Sequence, residues 1–504
     1  MLKIKIAILI VLFALTGYCK LNRDNDGTNG DGGVVPIPSI TSVLPSAIFA
    51  GSPSFTLYIN GQDFAEDAVV FINQKLRTPT TVSGVTVTCT IGPEDWNGTL
   101  DVAVGNPAEA GGTLKFSNQV AVPILTEGKI TFTTPIQIAA LTSKPSDYQD
   151  IETDNRGNLY VLYQDTLDSV GEVFLVHSPD YGETWGLPVN VSDTGGYSDL
   201  PDLAVAPGGD LFVCWWEADD ANVEESAIYF SRSTDNGATW ENPGHVLPAY
   251  TRCSDPRIHI DSGGAVNMVF SNREGQYNTP YFYFARSTDN GGTWNVVRVG
   301  EGAEMVQYPL EEDGNGVFHT AYVTYNDGLS GYDLYYARSA DRGFTWTSRM
   351  ISHEISVFRG HVFPSVGFSG GTLYAAWNYD YSHRSGARRV AYFSRSLDGG
   401  EVWGPEIQMD ETVYNCGGDK ADMVVDSRGN IFLVMSYQHV FLARSSDSGQ
   451  TWTPPMFIKE SELHSHPCMT IDNRDNLFIA WSDNGKFYFC RNETPLLLLP
   501  APSF

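Results

Sequence analysis

Three arginines, two aromatic residues and six acids stand out because they fall on short polar stretches between apolar runs: Arg257, Arg273 and Arg359; Trp216 and Tyr379; Asp150, Asp202, Asp255, Glu274, Asp380 and Asp422. A guanidinium can hold a carboxylate by two parallel hydrogen bonds, so a convergent arginine set would suit an anion. An aromatic ring can lie against the apolar face of a sugar while neighbouring polar groups take its hydroxyls. Two carboxyl groups about 5 to 9.5 Å apart could cleave a glycosidic bond. Metal chemistry has no comparable pattern. Cys89, Cys214, Cys253, Cys416, Cys468 and Cys490 are dispersed and form no C-x-x-C pair, so neither a zinc site nor any cofactor is expected.

The elements that carry these residues are repeated. The phrase "SRSTDNGATW" ends at Trp240 and recurs, with changes, ending at Trp185, Trp294, Trp346, Trp403 and Trp452. A second phrase, a turn between two apolar runs, occurs seven times from "DNRGNLYVLY" to "DNRDNLFIAW", with glycine in all but the last copy. Fixed-period repeats of short strands are the mark of sheets stacked in a ring. The last unit stops after "KFYFCRN" without an outer strand, and "ITFTTPIQIAAL" at 130–141 has the character of the missing piece. The expected fold is all-β: a propeller of seven four-stranded blades, with the N-terminal strand completing the last one.

The phrase S-x-D-x-G-x-T-W resembles the Asp box of the sialidase-like propellers. Its chemistry is local: Ser and Asp bind backbone amides, Gly supplies a positive φ, and Trp covers the turn. Asp180, Asp235, Asp289, Asp341, Asp398 and Asp447 are therefore structural, since six equivalent copies fit repetition better than one active site. The boxes mark one face, so the candidate residues lie on loops of the other, at the funnel. The resemblance also implies a six-bladed alternative, and exo-sialidase chemistry with an arginine cluster, a Tyr nucleophile beside a Glu, and an Asp acid/base. The family's Phe-Arg-Ile-Pro motif is missing, because the corresponding place reads "SDYQDIETD". Asp255-Pro-Arg257-Ile followed by Arg273-Glu274 is its nearest echo.

Upstream, residues 1–19 read as an export signal, with Lys3 and Lys5 ahead of an apolar run and Cys19 placed as in a lipoprotein signal, although Tyr18 stands where Gly or Ala is usual. Residues 20–34 form a polar tether. Residues 35–125 alternate as short strands around "FTLYINGQDF" and resemble an IPT/TIG immunoglobulin-like domain, a module that implies spacing or a protein partner. The propeller spans 128–491 and a tail 492–504. A net charge of −29 argues against nucleic acid.

The expectation is an exported envelope protein, held to a membrane only through lipid on Cys19. Its funnel would bind a carbohydrate or another polar ligand, anions included, through Trp216, Arg257, Arg273, Arg359 and Tyr379. A glycoside hydrolase of exo-sialidase type and a non-catalytic protein scaffold are the alternatives.

Overall fold

The computed structural model describes residues 36–44, 48–49, 55–91, 99–107, 113–125, 130–141, 148–167, 170–219, 222–276, 278–301, 308–326, 331–352, 363–380, 389–409, 421–436, 439–453, 455–460 and 466–493. All regular elements among them are β-strands. Cys19 and Arg359 lie outside the described residues, and nothing is described of the side chains of Tyr379 and Asp380.

Alternation in the first segment builds two facing sheets. One has the strand order Ser39–Leu44, Phe55–Gln62, Thr86–Ile91, Thr81–Val82. The other centres on Thr99–Asn106, between Val69–Ile72 and Val120–Leu125. Leu57 and Ile59 from the first sheet and Val70, Ile72, Val102 and Val104 from the second are buried in one core, the arrangement of a sandwich.

Seven four-stranded antiparallel sheets follow. The second is representative: Tyr197–Val205, Leu211–Asp219, Asn222–Ser233 and Gly244–His245, paired in that order. The first strands of the seven sheets begin at Gln149, Tyr197, Cys253, Leu310, Ser365, Ala421 and Cys468. Each adjoins the first strand of its neighbours, and that of the seventh sheet adjoins that of the first, so the inner strands close a circuit. The seventh sheet takes its outer strand from upstream: Ile136–Ala140 pairs with Lys486–Arg491. Sharing a strand between chain ends completes the seventh sheet to four strands, covering the edge that Lys486–Arg491 would otherwise expose.

The repeated phrase supplies the lateral packing. In the second sheet, Asp235 accepts from the Thr239 N–H at 2.9 Å and the Thr239 hydroxyl at 2.6 Å, while the Ser233 hydroxyl donates to Asp235 at 2.8 Å. Asn236 and Gly237 both have positive φ, 59° and 81°. The glycine does more than permit the turn. A Cβ on Gly237 would stand 2.5 Å from the Leu175 side chain of the first sheet. Likewise Gly291, Gly343, Gly400 and Gly449 would meet Phe230, Phe284, Tyr336 and Phe393, each on the third strand of the preceding sheet. Gly182 in the first sheet packs in the same way on Phe489 of the seventh.

Candidate functional site at the head of the axial channel

Along each inner strand, residues alternate between the sheet interior and the central channel. Gln149–Thr153 shows this: Ile151 is buried, whereas Asp150 and Glu152 are partly exposed. Strand pairing places Asp150, Asp202, Arg257 and Asp422 at one level of their sheets, because each follows the same register with its second strand.

That level joins neighbouring sheets. Asp150 accepts the Leu203 N–H at 3.1 Å, Asp202 accepts the Ile258 N–H at 2.7 Å, and Asp422 accepts the Met469 N–H at 2.9 Å. Each carboxylate thus satisfies a backbone donor on the next inner strand. In the third sheet the same level is occupied by Arg257, which turns back to pair with Asp202. Both side chains are largely buried, at 15% and 8% exposure, so the charge of Arg257 is already matched within the protein.

Two bulges prepare this pairing. The register shifts between Asp199 and Asp202 and between Ser254 and Arg257. Within each bulge the residue before a proline, Leu200 or Asp255, has φ of 53°. Left-handed backbone at a branched leucine is costly, and such strain concentrates where a side chain must be aimed.

Two residues further along, Glu152 and Glu311 also enter the channel. Burial raises the Glu152 carboxyl well above its ordinary range, and Asp150, Glu311 and Asp202 add to the shift. Burial, with Asp422 and Asp202, pushes Glu311 up to about 8. Burial raises Asp202 above its ordinary value, against the pull of the Arg257 guanidinium that keeps it paired. These mutual influences place acids from four sheets around one narrow space, where among the described residues Arg257 offsets them. A carboxyl that holds its proton near neutral pH is a potential acid.

Glu152 and Glu311 are not among the acids expected from the sequence. The readable signal was the polar residue two positions after Asp150 in "DIETD", and the Glu pair in "PLEEDG", on strands whose other positions are apolar.

At the upper end of the second sheet, Trp216 lies opposite Asp199 and is half-buried. The Tyr197 ring meets it edge to face, with centroids 6.3 Å apart. Beside it, Glu217 is buried and accepts from the Trp215 indole at 2.8 Å and the Ser198 hydroxyl at 3.3 Å. Arg273 is exposed at the end of Val266–Glu274. It stands four residues beyond Val269, the partner of Arg257, so the two backbones are separated by about 13 Å along the strand. The arginines Arg257 and Arg273 do not share one anion cradle. Tyr379 lies on Thr372–Asp380, opposite Val390.

A Tyr–Glu pair does exist: the Tyr283 hydroxyl donates to Glu274. It stands on the third strand of its sheet, off the channel wall, with Tyr283 stacked on Phe270 at 5.3 Å. Burial, reinforced by Glu274, raises the phenol's pKa, which keeps it protonated and opposes a role as nucleophile.

Comparison with known proteins agrees with the architecture. The model of the BNR repeat-like domain matches residues 209–479, and the IPT/TIG domain matches 38–118. A search of curated proteins finds no match. Among solved structures, an alpha-L-arabinanase from Penicillium chrysogenum complexed with arabinobiose is 15% identical, with 60% of this chain and 94% of that chain covered and a TM-score of 0.46. The NanB sialidase of Streptococcus pneumoniae is 12% identical, with 87% and 83% covered and a TM-score of 0.42. A protein of unknown function from Dyadobacter fermentans is 15% identical, with 60% and 96% covered and a TM-score of 0.45. With more than half its length matched by one repeat model, the chain belongs to the BNR repeat-like family and carries an IPT/TIG domain ahead of its propeller-like sheets.

Proposed function

We propose that this protein binds carbohydrate at the head of the channel, on the face opposite the Asp boxes. The observation that carries this reading is the half-buried Tyr197–Trp216 pair at the upper edge of a carboxylate-lined channel. An indole face offers the apolar platform for a sugar ring, and carboxylates accept from its hydroxyls. The ligand is a neutral glycan rather than an anion, because Arg257 is committed to Asp202 and the other titratable groups described at this level of the channel are acidic. A glycan array followed by titration calorimetry tests the reading. Trp216→Ala should weaken binding about tenfold or more. Absence of any glycan ligand, or unchanged affinity in a folded Trp216→Ala protein, refutes it.

Glycoside hydrolysis is the second reading, and the raised pKa values of Glu152 and Glu311 favour it. Such a reaction requires one protonated and one ionised carboxyl; the raised values supply the proton donor, and an ionised neighbour such as Asp150 or Asp422 would have to be the second group. Loss of hydrolysis in both Glu152→Gln and Glu311→Gln would support it; a wild type inert toward every glycan it binds would leave binding alone.

For location, the proposal is lipid attachment at Cys19 in an exported protein, motivated by the apolar run and polar tether around it. Cys19→Ala should release the protein from membranes into the soluble fraction, and an unmodified Cys19 in mass spectra would refute the anchor.

A further inference from the structure

The first hairpin of the fifth sheet is shorter than its six counterparts. Five residues separate the paired positions in the others, as between Glu312 and Phe318. In the fifth, Ser369 pairs with Thr372 across Gly370-Gly371 alone. Elsewhere these turns reach one another around the ring. Arg156 donates to the Pro207 carbonyl at 2.9 Å, Ser427 bonds Asp475 at 2.6 Å, and the Asn473 N–H bonds Asn155 at 2.8 Å. Between the fourth and fifth sheets a cavity of about 280 Å³ takes the place of such a bridge.

Its walls carry a donor–acceptor set. Asp313 belongs to the fourth sheet's turn, where one carboxylate oxygen accepts the Asn315 and Val317 N–H groups at 2.9 Å each. Arg338 donates to the Gly399 carbonyl at 3.1 Å and lies 3.8 Å from the Glu401 carboxylate, which leaves part of the five-donor guanidinium fork for a ligand. His319 is 3% exposed, and its Nδ1 is 2.7 Å from the Tyr336 hydroxyl. Its Nε2 has no hydrogen-bond partner among the described residues, with the Asp313 carboxylate 3.7 Å away. That nitrogen is shielded from solvent and faces the Asp313 carboxylate, so His319 forms the floor of the cavity rather than a contact for its occupant. Burial lowers the His319 pKa to about 4, so the ring is neutral at neutral pH. Phe368 and the glycine turn supply the remaining wall.

The geometry points to a second ligand site, on the Asp-box face between the fourth and fifth sheets, for a single uncharged polyhydroxylated ring. A free anion is opposed by Asp313 and a cation by Arg338. Hydroxyl groups donate and accept, so they can satisfy Asp313 and Arg338 together, with Phe368 against the ring's apolar face. The volume lies near the lower end of small-ligand pockets, which limits the occupant to one ring. This inference does not rest on the funnel reading.

The test uses the full chain and a panel of methyl pyranosides in the millimolar range, observed by saturation-transfer difference NMR. A Trp216→Ala background removes the funnel's contribution. Saturation transfer should persist in that background for at least one probe, and adding Arg338→Gln should weaken that binding about tenfold or more. Asp313→Asn, which can still accept the turn's N–H groups, should weaken it too. No transfer in the Trp216→Ala background, or transfer unchanged by both further substitutions, overturns the site. Should Trp216→Ala fail to fold, crystals of the wild type soaked with the same panel decide: a cavity without sugar density overturns the proposal.

Discussion

Arg257 on the third sheet and Asp202 on the second form an ion pair, and the second oxygen of Asp202 holds the Ile258 N–H at 2.7 Å. One carboxylate therefore fastens two inner strands through both a charge and a backbone donor. Removing Arg257 strands a buried carboxylate. Arg257→Ala should cost about 3–5 kcal/mol, read as a fall in chemical-denaturation midpoint at neutral pH. A loss below about 1 kcal/mol would mean that the pair is wet and the channel open to solvent there.

Glu311 gives a pH signature. Its carboxyl is raised by burial to about 8 from an ordinary value near 4.5. The folded state thus holds a proton that the unfolded state releases earlier. The stabilising contribution is complete below the unfolded value and is lost as pH rises toward 8. Glu311→Gln should therefore gain stability relative to wild type at pH 9, by about 1–2 kcal/mol after allowing for channel water. The gain should vanish near pH 4. A mutant equally stabilised at both pH values would assign the effect to packing instead.

The box glycines should be intolerant of any side chain. At Gly343 a Cβ would lie 2.0 Å from the Phe284 ring, on backbone with φ of 89°. Gly343→Ala should destabilise by at least about 1–3 kcal/mol, visible as a lowered Tm. Gly314, whose Cβ would meet nothing within 4 Å, provides the control: Gly314→Ala should change Tm little.

Deleting the sandwich and the upstream strand should have different outcomes. A chain beginning near residue 128 keeps Ile136–Ala140 against Lys486–Arg491 and should keep the oligomeric state of the full chain. A chain beginning at 142 exposes the Lys486–Arg491 edge and should aggregate, as size-exclusion chromatography would show. Unaggregated protein of the same oligomeric state in both cases would mean that the shared strand is dispensable.

The repeat units were legible because six of the seven carry the turn glycine and the tryptophan phrase at a fixed period, and because 130–141 matches the strand that the last unit lacks. The acids Asp150, Asp202 and Asp422 were also legible as loop-to-strand positions, but not what they do: an amide on the next sheet is invisible to a sequence. Arg257 was read as a ligand contact for the same reason, since its partner Asp202 is 55 residues away along the chain. Glu152 and Glu311 were missed because an acid on an exposed strand face looks like one in a channel until the ring closes.

The contact between each Asp-box glycine and the preceding sheet gives the ring a direction. Five of the six boxes lean on a sheet made earlier in the chain, so each can seat as soon as its own sheet forms. Gly182 is the exception. It waits for Phe489, more than three hundred residues downstream, and so do Tyr181 for Arg474 and Glu183 for Arg491. Vectorial synthesis can therefore finish six sheets while the first keeps an unfilled socket. Closure is a single late event made by the last strands. Hydrogen exchange on arrested chains ending before 466 should find the amides around Gly182 unprotected while those around Gly291 are already slow; equal protection would refute this order. A propeller assembled in this way tests its own completeness, because only a full-length chain can occupy the site that its first sheet holds open.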